Sequence, residues 1–311
     1  MNTSRHISVD VLTSFDVSYS QLPEVLAQVF DKYDPSLSKK QRSRVIINEV
    51  IRRRGILDHI IEKCSSKKID KIQPKLRAII RIGCYELLFD DFIPDFAAIH
   101  SAVELGKKSI NKKAGSMVNA VLRNIQREQK KDSTWLELII NNNPELAYPS
   151  WLIKKWKRQF GSIITEKLCV SFFNKAPMFL RVNEELIEKD KSINLLKKSG
   201  ISIKQHKVFS NFLEVTNGQD KVLDTDLFGT GMISIQDPAS GAVVDLIDPQ
   251  KGESILDVCA APGTKSLFMA QRVGPKGTIY ASDNNENRVK KGKADIKRHK
   301  YNNIKWTVLD A

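Results

Sequence analysis

The residues best suited to chemistry gather near the end of the 311-residue sequence. Ile255-Leu256-Asp257-Val258-Cys259-Ala260-Ala261-Pro262-Gly263-Thr264-Lys265-Ser266 reads as a buried strand running into a turn of small residues that opens a helix. Ala260, Ala261 and Gly263 let a ligand approach the backbone closely, and the N–H groups at the start of the helix then face it. The run is neither a G-x-G-x-x-G dinucleotide fingerprint nor a G-x-x-x-x-G-K-[ST] phosphate loop, because no glycine stands five residues before Gly263. Asp283 follows Gly263 by 20 residues, in Tyr280-Ala281-Ser282-Asp283. A carboxylate there can accept hydrogen bonds from both hydroxyls of a ribose. Asp310 closes the next strand, Val308-Leu309-Asp310, so three consecutive strands end in polar residues at one sheet edge. The plain alternatives are a tight turn without a ligand at Gly263 and an ordinary helix N-cap at Asp283.

Strand–helix–strand–helix–strand must position these groups. The pattern predicts strands at 254–258, 277–281 and 304–309 and helices at 265–273 and 285–298, the opening half of a doubly wound, Rossmann-like parallel sheet. Its third strand is expected at or near the centre. A helix at 239–247 precedes it. Before that, 150–235 reads as a small α+β unit. It has strands around Met178-Phe179-Leu180-Arg181-Val182, Ile201-Ser202-Ile203, Phe212-Leu213-Glu214-Val215 and Met232-Ile233-Ser234-Ile235, with a helix ended by Gly200. Residues 129–149 are polar and Asn-rich and read as a linker. The first 128 residues read as a helical bundle. Met117, Val118, Val121, Leu122 and Ile125 make a 3.6-residue face, and Pro74 opens a helix with Leu76, Ile79, Ile80, Cys84, Leu87 and Leu88 on its apolar side.

Lys and Arg number 50 against 36 acids, a formal charge of +14 that favours a polyanionic partner, nucleic acid first. The excess is spread over both halves. Arg52-Arg53-Arg54 and the pair Lys112-Lys113 are candidate phosphate contacts, or else solvated helix faces. No run approaches the roughly 18 apolar residues of a membrane span, and the four cysteines form no C-x-x-C pair. A reducing, cytoplasmic location without membrane or metal is expected, with the chain acting as a monomer.

Asp257-Val258-Cys259-Ala260-Ala261-Pro262-Gly263-Thr264-Lys265 resembles the S-adenosylmethionine motif of the RNA 5-methylcytosine methyltransferases, the Sun/RsmB/NSUN group, and Gln236-Asp237-Pro238-Ala239-Ser240 resembles the element preceding it there. Residues 1–128 resemble the NusB RNA-binding fold through Arg77-Ala78-x-x-Arg81-x-Gly83-x-Tyr85-Glu86-Leu87-Leu88 and Val118-Asn119-Ala120-Val121-Leu122-Arg123. That pairing is the arrangement of the RsmB branch. The resemblance implies methylation of cytosine C5 in 16S ribosomal RNA, with S-adenosyl-L-methionine as cofactor. It implies that Cys259, Ala260, Ala261, Pro262, Gly263, Thr264 and Lys265 wrap the methionine and sugar of the cofactor, that Asp283 holds its ribose hydroxyls, and that Asp310 sits at the adenine edge. Residues 150–235 resemble the subdomain that guides RNA, and 236–311 the first part of the catalytic domain.

The family's chemistry needs a thiolate that adds to C6 of the base, and its cysteines follow the fourth and fifth strands in Pro-Cys and Thr-Cys contexts absent here. The nucleophile is therefore expected beyond Ala311, in a longer reading frame, and the 311 residues alone are expected to be inactive. Cys259 belongs to the cofactor loop, Cys84 to a helix core, and Cys64 and Cys169 have no motif around them. A non-catalytic NusB-like RNA-binding protein and a related tRNA cytosine-C5 methyltransferase are the competing readings.

Overall fold

The computed structural model describes residues 3–18, 20–173 and 176–310. Two compact units divide at residues 175 and 176.

The first unit is helical: α1 (Ser4–Val17), α2 (Leu22–Tyr33), α3 (Leu37–Arg52), α4 (Arg54–Ser65), α5 (Pro74–Phe89), α6 (Asp95–Ser109), α7 (Lys112–Lys131), α8 (Trp135–Asn142) and α9 (Ser150–Phe173). Pro74 sits in the first turn of α5, where its missing N–H costs nothing. Every residue from Ala78 to Leu88 is buried, which marks α5 as the central helix around which the others pack. Gly83 permits this closeness, since a Cβ there would lie 2.6 Å from Leu122 Cδ1 on α7.

Burying charge on α5 requires partners. Arg81 donates to both oxygens of Asp58 at 2.7 and 2.8 Å and to Asp16 at 2.7 Å. Glu86 accepts from Arg5 at 2.8 Å, and burial pushes its carboxyl up against the opposing pull of Arg5 and Arg42. The Arg52-Arg53-Arg54 run is likewise engaged internally. Arg52 and Arg53 pair with Glu49, Arg53 also lies over the rings of Phe89 and Phe173, and Arg54 pairs with Asp16 at 3.0 Å. Glu49 and Asp16 thus offset part of the run's charge, while the Arg52 and Arg54 side chains stay 31% and 42% exposed. Lys112 and Lys113 stay exposed at the start of α7.

The segment read as a linker is structured. α7 runs on to Lys131, and α8 buries Ile139 while Trp135, Leu136 and Ile140 pack on the helical core. Its apolar face is only one turn wide within an Asn-rich sequence. Helix α9 bends at Gly161, whose φ of 78° and ψ of 168° are not helical. It packs with the helical unit, which ends at residue 175.

The second unit contains two sheets. β1 (Met178–Val182), α10 (Lys189–Lys198), β2 (Ser202–Gln205), β3 (Phe212–Asn217), α11 (Asp226–Gly229) and β4 (Ile233–Ile235) form an antiparallel sheet in the order β2-β3-β1-β4. Then come α12 (Pro238–Ile247), β5 (Ser254–Asp257), α13 (Thr264–Val273), β6 (Thr278–Asp283), α14 (Glu286–His299) and β7 (Ile304–Val308), with the three strands parallel in the order β5-β6-β7. The third strand is thus an edge of this sheet, because the two crossovers add strands in a single direction. The register pairs Asp257 with Ala281 and Asp283 with Val308, bringing all three strand ends to one edge.

Buried polar side chains tie the two sheets together. Arg181 on β1 donates to Gln236 Oε1 at 2.7 Å and to Gln271 Oε1 at 2.6 Å, and lies 4.3 Å from the Phe268 ring centroid. Burial without a carboxylate in contact lowers its pKa to about 10. Asn183 donates to Tyr301 Oη at 3.1 Å, and buried His299 meets Ser234 Oγ at 2.8 Å. No helix among the described residues is long and apolar enough to cross a membrane.

Candidate functional site

The candidate site lies at the carboxyl edge of β5-β6-β7, the crevice position in the strand–loop–helix arrangement of such sheets. β5 ends at Asp257, whose Oδ2 accepts from Ser266 Oγ at 2.8 Å, fastening the strand to the first turn of α13. Between them the loop runs through exposed Val258 and Cys259, buried Ala260 and Ala261, and exposed Pro262 to Gly263. Ala260 N donates to Ser282 O at 2.9 Å, holding the loop against β6. Gly263 caps α13 with φ 112°, where an L side chain is strained, and a Cβ there would lie 3.0 Å from Trp306 on β7. Thr264 and Lys265 then begin the helix, half-buried, so the backbone N–H groups of its first turn open toward the crevice.

Asp283 lies at the floor, 5% exposed. Its Oδ2 accepts from Ala261 N at 3.2 Å and its Oδ1 from Asn285 N at 3.1 Å. The helix cap is Asn285, which accepts from Arg288 N at 3.0 Å, so Asp283 is not the N-cap of α14. The Arg288 guanidinium supplies the second donor to each oxygen, 3.5 Å from Oδ1 and 3.3 Å from Oδ2, so a vicinal diol would have to take its place. Arg288 lies over this position, 3.3 Å from Asp283 Oδ2, with a second bond to Ala261 O. Its side chain is half-exposed. Asp310 is exposed and accepts from Asn284 Nδ2 at 3.3 Å, while Leu309 N donates to Asp283 O at 3.2 Å. The loop from Cys259 to Lys265, Asp283 and Asp310 are therefore brought to one edge. Arg288 and Trp306 escaped the sequence reading, although Arg288 is signalled by its place in the first turn of the helix after Asp283.

A nucleoside with an amino-acid arm fits this set: small side chains, a helix N-terminus, and a buried carboxylate whose two oxygens a diol could engage in place of Arg288. Among the described residues no group of three or more His, Cys, Asp or Glu could hold a metal ion. Cys259 is exposed, Cys84 and Cys169 are buried and Cys64 is half-buried. Burial pushes the last three thiols up, away from the thiolate form a nucleophile needs.

Comparison with known families assigns these parts. Residues 2–127 match the model of the NusB family, residues 148–220 an RsmF/B-like ferredoxin-like domain, and residues 244–311 the model described as 16S rRNA methyltransferase RsmB/F. The chain joins a NusB-family domain to an RsmB/F-type methyltransferase domain. It is 28% identical over 287 residues to the probable ribosomal RNA small subunit methyltransferase B of Bacillus subtilis (strain 168), covering 92% of this chain and 64% of that protein. It is 30% identical over 270 residues to the ribosomal RNA small subunit methyltransferase B of Serratia proteamaculans (strain 568), covering 85% of this chain and 61% of that protein. The chain thus spans less than two thirds of the length of these relatives. The crystal structure of PH0851 shares the fold, with a TM-score of 0.66 and 22% identity over 100% of this chain and 70% of that one. A helical NusB-like bundle, a ferredoxin-like sheet and a partial methyltransferase sheet therefore follow one another along the sequence.

Proposed function

We propose that this chain carries the RNA-binding and cofactor-binding parts of an S-adenosylmethionine-dependent methyltransferase that acts on C5 of a cytosine in small-subunit (16S) ribosomal RNA. The observation that carries the reading is the crevice around Asp283, in the segment that matches the RsmB/F model. When bound, S-adenosylmethionine supplies an electrophilic methyl group. The residues of the chain would hold it: Cys259 to Lys265 around the methionine and sugar, Asp283 at the ribose hydroxyls once the Arg288 side chain swings aside, and Asp310 at the adenine edge. The helical unit and the ferredoxin-like sheet would bind and guide the RNA. Methyl transfer would follow addition of a cysteine thiolate to C6, which makes C5 nucleophilic. None of the four cysteines here suits that step, since three have raised pKa values and Cys259 lies in the cofactor loop.

Photo-cross-linking of methyl-labelled S-adenosylmethionine to the purified chain, followed by peptide mapping, tests the reading. Label is expected on peptides spanning 257–265 or 280–288. Label confined to the helical unit would sink it.

A further inference from the structure

Residues 276–305 hold nine Lys and Arg against three Asp and Glu, an excess of six in a protein whose whole formal charge is +14. Each of the three carboxylates already has a cation: Asp283 pairs with Arg288, Glu286 with Lys290 and Asp295 with Arg298. Lys276, Lys291, Lys293, Lys297, Lys300 and Lys305 are left with no carboxylate within ion-pair distance among the described residues, and all six are exposed. Lys290, Lys293 and Lys297 fall at i, i+3 and i+7, so they share one face of α14. Lys300 caps the same helix, and with Lys276 and Lys305 it lines a cavity of about 360 Å³ that Asn302, Asn303 and Thr278 also border. Glu185 is the one carboxylate in that lining.

The ordinary expectation for such a helix is a solvated face with mixed signs. Here the like charges at i, i+4, such as Lys293 and Lys297, are unfavourable by a few tenths of a kcal/mol, and a polyanion would relieve them. Position singles out one polyanion. α14 starts three residues after Asp283, and its 14 residues carry the lysine face roughly 21 Å to the cavity at the other end. A lipid surface fits less well, because the exposed face of α14 includes no large apolar side chain of the kind that anchors a helix in a bilayer.

We propose that the lysine face of α14 and the cavity at its C-terminal end form a track for the phosphate backbone of the RNA strand whose target base reaches the crevice. The proposal rests on the RNA-methyltransferase reading above and adds where the strand runs.

The test is fluorescence anisotropy of a single-stranded RNA oligonucleotide with the whole chain and with Lys293→Gln/Lys297→Gln/Lys300→Gln, at salt from about 50 to about 200 mM. The substitutions sit on exposed positions and remove like-charge repulsion, so the melting temperature should hold or rise. The slope of log affinity against log salt is expected to become shallower by about two, with roughly tenfold weaker binding near 100 mM salt. An unchanged slope and affinity would overturn the track. Loss of binding to phosphatidylglycerol vesicles with RNA binding intact would overturn it too, in favour of a membrane surface. S-adenosylmethionine titrated into the same variant separates the two claims. Normal cofactor binding with an unchanged RNA slope rejects the track alone, whereas absent cofactor binding in the unmodified chain rejects the functional reading.

Discussion

Asp283 is held at both oxygens by backbone N–H groups, so its carboxylate is oriented before any ligand arrives. That preorganisation is what a ribose diol would exploit, and the place of Asp283 at the end of the second strand, beside the loop before Gly263, was legible in the sequence. Arg288 was not legible, because its side chain bridges Asp283 and Ala261 only once the loop and the helix have been brought together. Gly263 offers a test at the same scale. At φ 112°, with Trp306 3.0 Å from any Cβ, Gly263→Ala should cost about 1–3 kcal/mol and weaken cofactor binding severalfold. A variant with unchanged melting and unchanged affinity would mean that the turn tolerates a side chain and does not shape the crevice.

At the scale of elements, helices with clean periodicity were readable, and the motif around Gly83 shows why. Gly83→Ala should destabilise the helical unit by about 1–3 kcal/mol, because the new methyl group would meet Leu122 at 2.6 Å. Chemical denaturation would measure this, and an unaltered midpoint would mean that α7 can move away. The helix inside the 129–149 segment was not legible, because a short helix with one buried residue, Ile139, leaves little trace in an Asn-rich sequence. Contacts between the two sheets were equally invisible, since Arg181, Gln236 and Gln271 are far apart in the chain. His299 gives this junction a pH dependence. Burial lowers its pKa, and its ring is fixed between Asp295 O on Nδ1 and Ser234 Oγ on Nε2, with the Arg298 guanidinium 3.3 Å from Nε2. The unfolded chain therefore binds a proton more readily than the folded one, and stability falls as pH drops below about 6.5. Thermal melts at pH 7.5 and 5 should show a smaller acid loss for His299→Gln than for the unmodified chain. Equal losses would assign the acid sensitivity to other groups.

For the whole molecule, the order of helical bundle, ferredoxin-like sheet and parallel sheet was legible because the hydrophobic period changes along the chain. The assignment of charge was not. Composition shows an excess of cations, but only the fold reveals that Arg52, Arg53, Arg54, Arg77 and Arg81 share the carboxylates of Glu49, Asp16 and Asp58, whereas Lys291, Lys293 and Lys297 of α14 pair with no carboxylate among the described residues. With no thiol suited to attack on C6, the 311-residue chain should bind cofactor and RNA yet transfer no methyl group to small-subunit ribosomal RNA. Formation of 5-methylcytosine by this chain alone would make Cys259 the nucleophile. The most direct test of the central claim is calorimetric titration of S-adenosylmethionine into the chain and into Asp283→Ala. Loss of hydrogen bonds to a charged acceptor, at about 1.5–3 kcal/mol each, predicts one site per chain and binding at least tenfold weaker in the variant. No binding to the unmodified chain, or equal affinity in the two, would contradict the account.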